Sequence, residues 1–159
     1  MLEIARQRCT AKDDTLQLSL HTYNALGDSA PPSKALGADI VISTLVLEHI
    51  PIETFFATVG KILKGDGYLL LTGMHAEMGK LSRAGFLDEA ANEKVQGQSF
   101  VYENSEVIEE AKRWGFKLVG DVKERRIGEE DLDSLGGRSR KWIGCTVWLG
   151  CLFVKSGIS

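Results

Sequence analysis

The sequence predicts an α/β domain with a mostly parallel sheet, and three consecutive segments carry that prediction. Residues 38–47 form a dense apolar run rich in β-branched side chains, as expected for a strand covered on both faces. Residues 52–63 place their apolar side chains at helical spacing, which indicates an amphipathic helix ending near Gly65. Residues 67–72 again have strand composition. Because the intervening helix is too long for a hairpin, the two strands must run parallel in a βαβ unit.

Before this unit, helical and strand elements are predicted from shorter sequence patterns. Residues 2–8 have the pattern of a helix end, and residues 16–21 alternate apolar and polar side chains as a strand does. Residues 27–37 contain Pro31 and Pro32 and are predicted to be a loop.

After the unit, residues 75–100 have no clean period and predict a surface excursion or lid. A helix is expected to begin with Asn104 or Ser105 as its cap and to end at Gly115 in the left-handed conformation. Residues 116–122 and 145–154 are predicted strands. The charged loop 129–141 would allow them to pair antiparallel.

Composition limits the partners. The chain has 159 residues, 43% hydrophobic and 26% charged, with a net charge of -3, which offers no broad attraction to nucleic acid or anionic lipid. No apolar run reaches the roughly 18 residues of a membrane helix, and no signal-peptide core is present, so a cytoplasmic protein is expected. Cys9, Cys145 and Cys151 match no disulfide framework or zinc motif and are interpreted as reduced thiols, the last two as buried apolar side chains.

The predicted sheet also locates a candidate site. In open parallel sheets, ligands bind beyond the carboxyl ends of the strands. The loops there are residues 43–49 after the first strand of the unit and residues 73–75 after the second.

These residues also carry a resemblance to a known family. The sequence ADIVISTLVLEHI over residues 38–50 resembles the fourth-strand motif of class I (Rossmann-like) S-adenosylmethionine-dependent methyltransferases. The sequence KILKGDGYLLL over residues 61–71 resembles the turn and fifth strand that follow, with Gly65 and Asp66 in place of the usual Pro and Gly. Residues 114–116 and 142–153 resemble the last helix end and the terminal antiparallel strand pair.

The resemblance implies a sheet with helices on both faces, S-adenosylmethionine as cofactor and methyl transfer to a small-molecule acceptor. Carried over by position, the cofactor contacts are Asn24 and Ala25 at the adenine and Ser43, Thr44 and Leu45 near the sulfonium. His49 is the first candidate for general base because an imidazole titrates near neutral pH, with Glu48 and His75 as second choices.

The resemblance also implies that the cofactor half of the domain is shorter here than in the family. Nothing matches the family's glycine-rich turn after its first strand. Residues 1–37 would be a remnant of the cofactor half and residues 38–159 the C-terminal half of a single truncated domain. S-adenosylmethionine binding is then expected to be weak or absent. The central strand edge would be exposed, which favours homo- or hetero-oligomers.

Several alternatives stay open. His49 could be a loop histidine without a chemical role, and a solvated role is favoured for His75. Trp114, Trp142 and Trp148 are interpreted as core residues, and the acidic run 129–133 as a solvated loop, so no metal site is predicted. A non-catalytic binding or dimerisation subunit is the alternative function. A nucleotide-binding oxidoreductase lacks its Gly-x-Gly-x-x-Gly fingerprint.

Overall fold

The computed structural model describes residue 4 and residues 19–82, 85–88 and 93–157, with 85–88 and 93–96 described in the backbone alone. The predicted helix over residues 2–8 and Cys9 therefore lie outside the described residues, except for helical Ile4. Of the predicted strand 16–21, the described residues 19–21 are irregular. The loop predicted over 27–37 is irregular apart from a 3-10 turn at Ser33–Ala35.

The βαβ unit is confirmed. Strand β1 (Ala38–Thr44) leads through a 3-10 turn (Leu47–His49) into helix α1 (Ile52–Ile62), and strand β2 (Leu63–Met74) follows. β1 and β2 pair in parallel, with Thr44 opposite Thr72. The helix ends three residues earlier than the expected Gly65, because the chain enters β2 directly at Leu63.

The chain then leaves the sheet and returns to it. Helix α2 (Ala76–Leu81) and a separate hairpin of β3 (Gly85–Asp88) and β4 (Glu93–Gln96) occupy the predicted excursion. Helix α3 (Asn104–Arg113) leads into β5 (Phe116–Leu118), and Gly115 between them has the predicted positive φ of 76°. The last elements are strand β6 (Lys123–Arg126), the one-turn helix α4 (Leu132–Leu135) and strand β7 (Thr146–Lys155).

The described sheet is mixed, in the order β1-β2-β7-β5, with β6 also pairing with β7. β7 runs antiparallel to β2, β5 and β6, so the predicted antiparallel pairing of the last strands is confirmed. The part of the chain after residue 100 differs from expectation in three features. β5 stops at Leu118, β6 is an additional strand of exposed charged residues, and Glu103 rather than Asn104 or Ser105 precedes α3 as its cap.

One face of the sheet carries the core. Helices α1 and α3 pack there, and T-shaped and tilted aromatic contacts join Phe56 to its neighbours Phe55, Phe116 and Phe153. Cys145 and Cys151 are buried free thiols, as predicted, and burial raises the pKa of the Cys151 thiol to about 11. Two tryptophan predictions are wrong. Trp114 and Trp148 are substantially exposed, and the indole of Trp114 donates to Glu110 Oε1 at 2.9 Å.

The opposite face of β1 and β2 is bare in the part of the chain that the structure describes. Ile40 and Ile42 are 60% and 68% exposed, and their register partners Tyr68 and Leu70 on β2 are also exposed. Within those same ranges, β1 pairs with β2 alone, so its outer backbone edge has no strand beside it. None of the described helices is long and apolar enough to cross a membrane.

Candidate active site at the carboxyl ends of β1 and β2

The parallel register brings the two predicted loops together. β1 ends at Thr44 and β2 at Met74, and the N–H of Leu45 donates to the carbonyl of Thr72 at 3.0 Å. Leu45 has a φ of 55°, a left-handed conformation that is unfavourable for a residue with a Cβ. The chain therefore changes direction directly after β1.

In the 3-10 turn after this bend, neighbouring side chains differ in burial. Leu47 and Glu48 are buried, while His49 is exposed, and the N–H of His49 donates to the carbonyl of Val46 at 2.9 Å. The imidazole of His49, the first candidate for general base, is thus exposed in the turn after β1. His49 thus lies where the βαβ prediction expected it.

Glu48 has a different environment. It is 8% exposed, and its Oε2 atom is buried with no hydrogen-bond partner among the residues that the structure describes. Ser43, five residues earlier on β1, is also buried, and within the same described ranges its hydroxyl has no partner. Two unsatisfied polar groups near one edge are unusual, because such groups normally cost free energy when they are left unpaired.

A small cavity adjoins Glu48. It is lined by three groups of residues, from the turn after β1, the end of β2 and the segment before α3, together with one residue of β7: Leu47, Glu48, Gly73, Met74, Phe100, Tyr102 and Leu149. The rings of Phe100 and Tyr102 stack with an interplanar angle of 5°. The N–H of Phe100 donates to the carbonyl of Glu48 at 2.8 Å, which ties this segment to the turn.

The ring of His75 is already engaged on both sides. Its Nδ1 accepts from the N–H of Glu77 at 3.1 Å, so Nε2 carries the proton in the neutral ring and faces Glu124 Oε1 at 3.1 Å. The side chain is only 15% exposed. His75 therefore acts as the cap of α2 and a link to β6, and its Nδ1 atom would have to release the N–H of Glu77 before it could accept a proton from a substrate.

Asn24 and Ala25 lie elsewhere. The Oδ1 atom of Asn24 accepts from the N–H of Leu26 at 3.1 Å, and Ala25 packs against the core. Ala25 also lines a cleft of about 620 Å³ between the loop before β1 and the outer side of α1. The structure thus brings Ser43, Thr44, Leu45, Glu48, His49 and His75 to one edge, and it places Ala25 beside a different cavity from Glu48.

Phe100 and Tyr102 were missed from the sequence. Tyr102 reaches Ile52, fifty residues earlier in the chain, through a side-chain hydrogen bond. The sequence does contain an aromatic pair, Phe100 and Tyr102, at and just after the end of the segment 75–100, which has no clean period. No local rule indicates that this pair returns to the strand ends.

The comparisons agree with this architecture. The fold is that of S-adenosylmethionine-dependent methyltransferases. The match to a structure from Mesorhizobium loti covers 96% of this chain and 75% of the Mesorhizobium chain, with a TM-score of 0.63 at 13% identity. The match to one from Methanosarcina mazei covers 98% of this chain and 77% of the Methanosarcina chain, with a TM-score of 0.61 at 13% identity. The match to the [4+2]-cyclase SpnF covers 99% of this chain and 61% of the SpnF chain, with a TM-score of 0.59 at 12% identity.

A sequence relative carries the resemblance further. The chain is 40% identical to an uncharacterized methyltransferase of Emericella nidulans over 168 aligned positions, which cover 94% of this chain. The chain spans 58% of the length of that relative. No family model matches the sequence. The resemblance to S-adenosylmethionine-dependent methyltransferases, first noted from the strand motifs, is thereby confirmed.

Proposed function

We propose that this chain takes part in S-adenosylmethionine-dependent methyl transfer to a small-molecule acceptor. The observation that carries the proposal is the cavity at the carboxyl ends of β1 and β2, which Glu48 lines with a carboxylate oxygen that has no partner among the described residues. His49 is exposed in the same turn as Glu48. Support comes from the methyltransferase relative at 40% identity. The net charge of -3 favours a small molecule over nucleic acid.

The residues fit the two ends of the cofactor unequally. At the sulfonium end, the unpartnered hydroxyl of Ser43, exposed Thr44 and the backbone of Leu45 offer polar contacts. At the adenine end, the Oδ1 atom of Asn24 already accepts from Leu26, so it would have to accept a second hydrogen bond. We therefore propose weak cofactor binding by residues 1–159, with residues 1–37 as part of the cofactor half and 38–159 as the C-terminal half.

The chemistry asked of the protein is modest. The cofactor supplies a methyl group already activated by its positive sulfur. The chain has to align the acceptor's lone pair with that carbon and receive the acceptor's proton as the carbon–sulfur bond breaks. His49 is the proposed proton acceptor because its imidazole is exposed at the strand ends, whereas His75 is held by Glu77 and Glu124.

Photolabelling tests the cofactor site directly. Ultraviolet irradiation with methyl-tritiated S-adenosylmethionine should label a peptide that contains residues 43–49, and S-adenosylhomocysteine should compete for the labelling. ATP at the same concentration is the matched control, since it shares the adenosine but lacks the sulfur. Labelling that S-adenosylhomocysteine does not displace, even at millimolar concentration, would contradict the proposal.

The alternative is a non-catalytic binding or dimerisation subunit, and the bare face of β1 and β2 favours it. Exposed Ile40 and Ile42 lie on β1, whose outer edge pairs with no other strand of the described residues. A second copy related by a two-fold axis would cover the edge and the face together. The [4+2]-cyclase SpnF has the same fold, so the fold by itself does not imply methyl transfer.

Oligomeric state tests this alternative. Light scattering should show a dimer that dissociates in Ile42→Lys, while Leu36→Lys, in an exposed position before β1, stays dimeric. A monomeric native chain would remove the alternative. The buried free thiols of Cys145 and Cys151 are consistent with a reducing compartment, and we propose the cytoplasm.

A further inference from the structure

The carboxylate of Glu48 needs a partner that the described residues do not supply. Its Oε2 atom is buried and has no hydrogen-bond partner, and no ion pair to Glu48 is formed within the described ranges. A buried carboxylate without a donor or cation is costly, whereas a donor that reaches it gains a charge-assisted hydrogen bond. A ligand that carries such a donor would therefore be stabilised here.

The cavity walls offer no donor of their own to this oxygen. The side chains of Leu47, Met74 and Leu149 are apolar. The hydroxyl of Tyr102 lies 3.3 Å from the carbonyl of Ile50, to which it donates, and accepts from the N–H of Ile52, so its proton is already used. A bound molecule can supply this donor.

The size and lining of the cavity limit which chemical groups can occupy it. The cavity has a volume of about 10 Å³, which is room for one water-sized group such as an ammonium. Gly73 contributes to this space, because a Cβ at that position would lie 3.6 Å from Glu48 Oε2. The rings of Phe100 and Tyr102 also line this space, and aromatic rings attract cations more strongly than neutral hydroxyls.

We propose that Glu48 binds a primary ammonium group of the methyl acceptor in this cavity, away from the atom that receives the methyl group. The inference rests on the proposed function, since it names the substrate class of that site. A metal ion is a poorer occupant, because no group of three or more metal-ligating side chains occurs among the described residues. The acceptor would thus be an amine-bearing small molecule, with its ammonium held by Glu48.

Methylammonium chloride is the probe, followed by amide and methyl NMR shifts of the whole chain. Saturable shifts are expected at Gly73 and Leu149, with binding weakened about tenfold or more in Glu48→Gln, which keeps the shape and removes the charge. Gly73→Ala should weaken it similarly by filling the space. Glu109→Gln, in an exposed position on α3, is the control for loss of one negative charge and should bind as the native chain does. Thermal unfolding verifies that each variant folds.

Two results would overturn the proposal. One is the absence of saturable shifts in the native chain, and the other is equal binding by the native chain and Glu48→Gln. Methanol, a neutral molecule of the same size, should not bind, and binding as strong as that of methylammonium would also refute the assignment to a cation. The titration uses neither S-adenosylmethionine nor turnover, so its failure and a failure of photolabelling are separate results.

Discussion

The hydroxyl of Tyr102 accepts a hydrogen bond from the backbone N–H of Ile52 at 3.0 Å, at the start of α1. The first N–H groups of a helix have no partner within the helix, so this contact satisfies one of them. Burial raises the pKa of the Tyr102 hydroxyl, and the contact with Ile52 acts against that shift. Through this bond the segment before α3 holds the turn that contains Glu48 and His49.

Tyr102→Phe should therefore lower the free energy of unfolding by about 1–2 kcal/mol, because it leaves the N–H of Ile52 unpaired in a partly buried position. Urea denaturation measures the change. Tyr68→Phe is the matched control: Tyr68 is exposed on the bare sheet face, and its variant should change the free energy by less than about 0.5 kcal/mol. Equal effects of the two variants would show that the Ile52 contact does not stabilise the helix.

The other end of α1 is held from β7. The ammonium of Lys155 donates to the carbonyl of Gly60 at 2.7 Å and to that of Leu63 at 2.8 Å. We expect Lys155→Met to destabilise the chain by about 1–2 kcal/mol, since it leaves helix-end carbonyls without their donor and removes a cation from the negative end of the helix dipole. Lys117→Met, at an exposed position of β5, should be nearly neutral in the same denaturation experiment. A neutral Lys155→Met would contradict this role.

The left-handed backbone of Leu45 makes a third prediction. Leu45 has a φ of 55° and an exposed side chain, so replacing it loses little burial. Asparagine tolerates this conformation better, and Leu45→Asn should raise the free energy of unfolding by up to about 1 kcal/mol. Val46→Asn is the control, because Val46 is exposed with a φ of -110° and relieves no strain. The idea fails if the two variants have the same stability.

Acid should weaken the contact between α2 and β7. Hydrogen bonds from Thr146, whose N–H lies 3.0 Å from Glu77 Oε2, lower the pKa of the Glu77 carboxyl below its ordinary value of 4.5. A carboxyl with a lowered pKa in the folded state contributes stability that is present above its unfolded pKa and is lost as the pH falls through its folded pKa. The loss should begin near pH 4.5 and continue below it.

Glu77→Gln should consequently lose less stability than the native chain when the pH is lowered from 7 through that window. Urea denaturation at a series of pH values measures both curves. Glu109→Gln controls for the removal of one acidic side chain from the surface and should follow the native curve. Parallel curves for Glu77→Gln and the native chain would rule out the proposed role of Thr146.

The role of His49 as the base can be tested with the small-molecule fraction of a cell extract, which serves as the source of the methyl acceptor. His49→Gln should reduce methyl transfer from tritiated S-adenosylmethionine by about 10²–10⁴-fold, the usual contribution of a positioned acid or base. His21→Gln is the matched control, because His21 is exposed and lies before β1. Undiminished transfer by His49→Gln would exclude this residue as the base.

The sequence alone was sufficient for the elements whose signal is local. The β-branched run before Thr44, the apolar stripe of α1 and the glycine at position 115 each define an element through neighbouring residues. Asp66 stands where the family's turn has glycine, and it adopts a positive φ of 60°. The parallel pairing of β1 and β2 followed because a helix of this length separates them.

Tertiary structure decided what depends on distant partners. β6 is a strand of exposed charged residues, and it forms because β7 presents a free backbone edge, a property that no side-chain period reveals. Glu48 and His49 are adjacent in sequence, yet one is buried and the other exposed, because the bend at Leu45 and the returning segment of Tyr102 orient the turn between them. Local patterns determine which segments become helices and strands. Contacts between residues far apart in the chain determine which side chains those segments leave in a cavity.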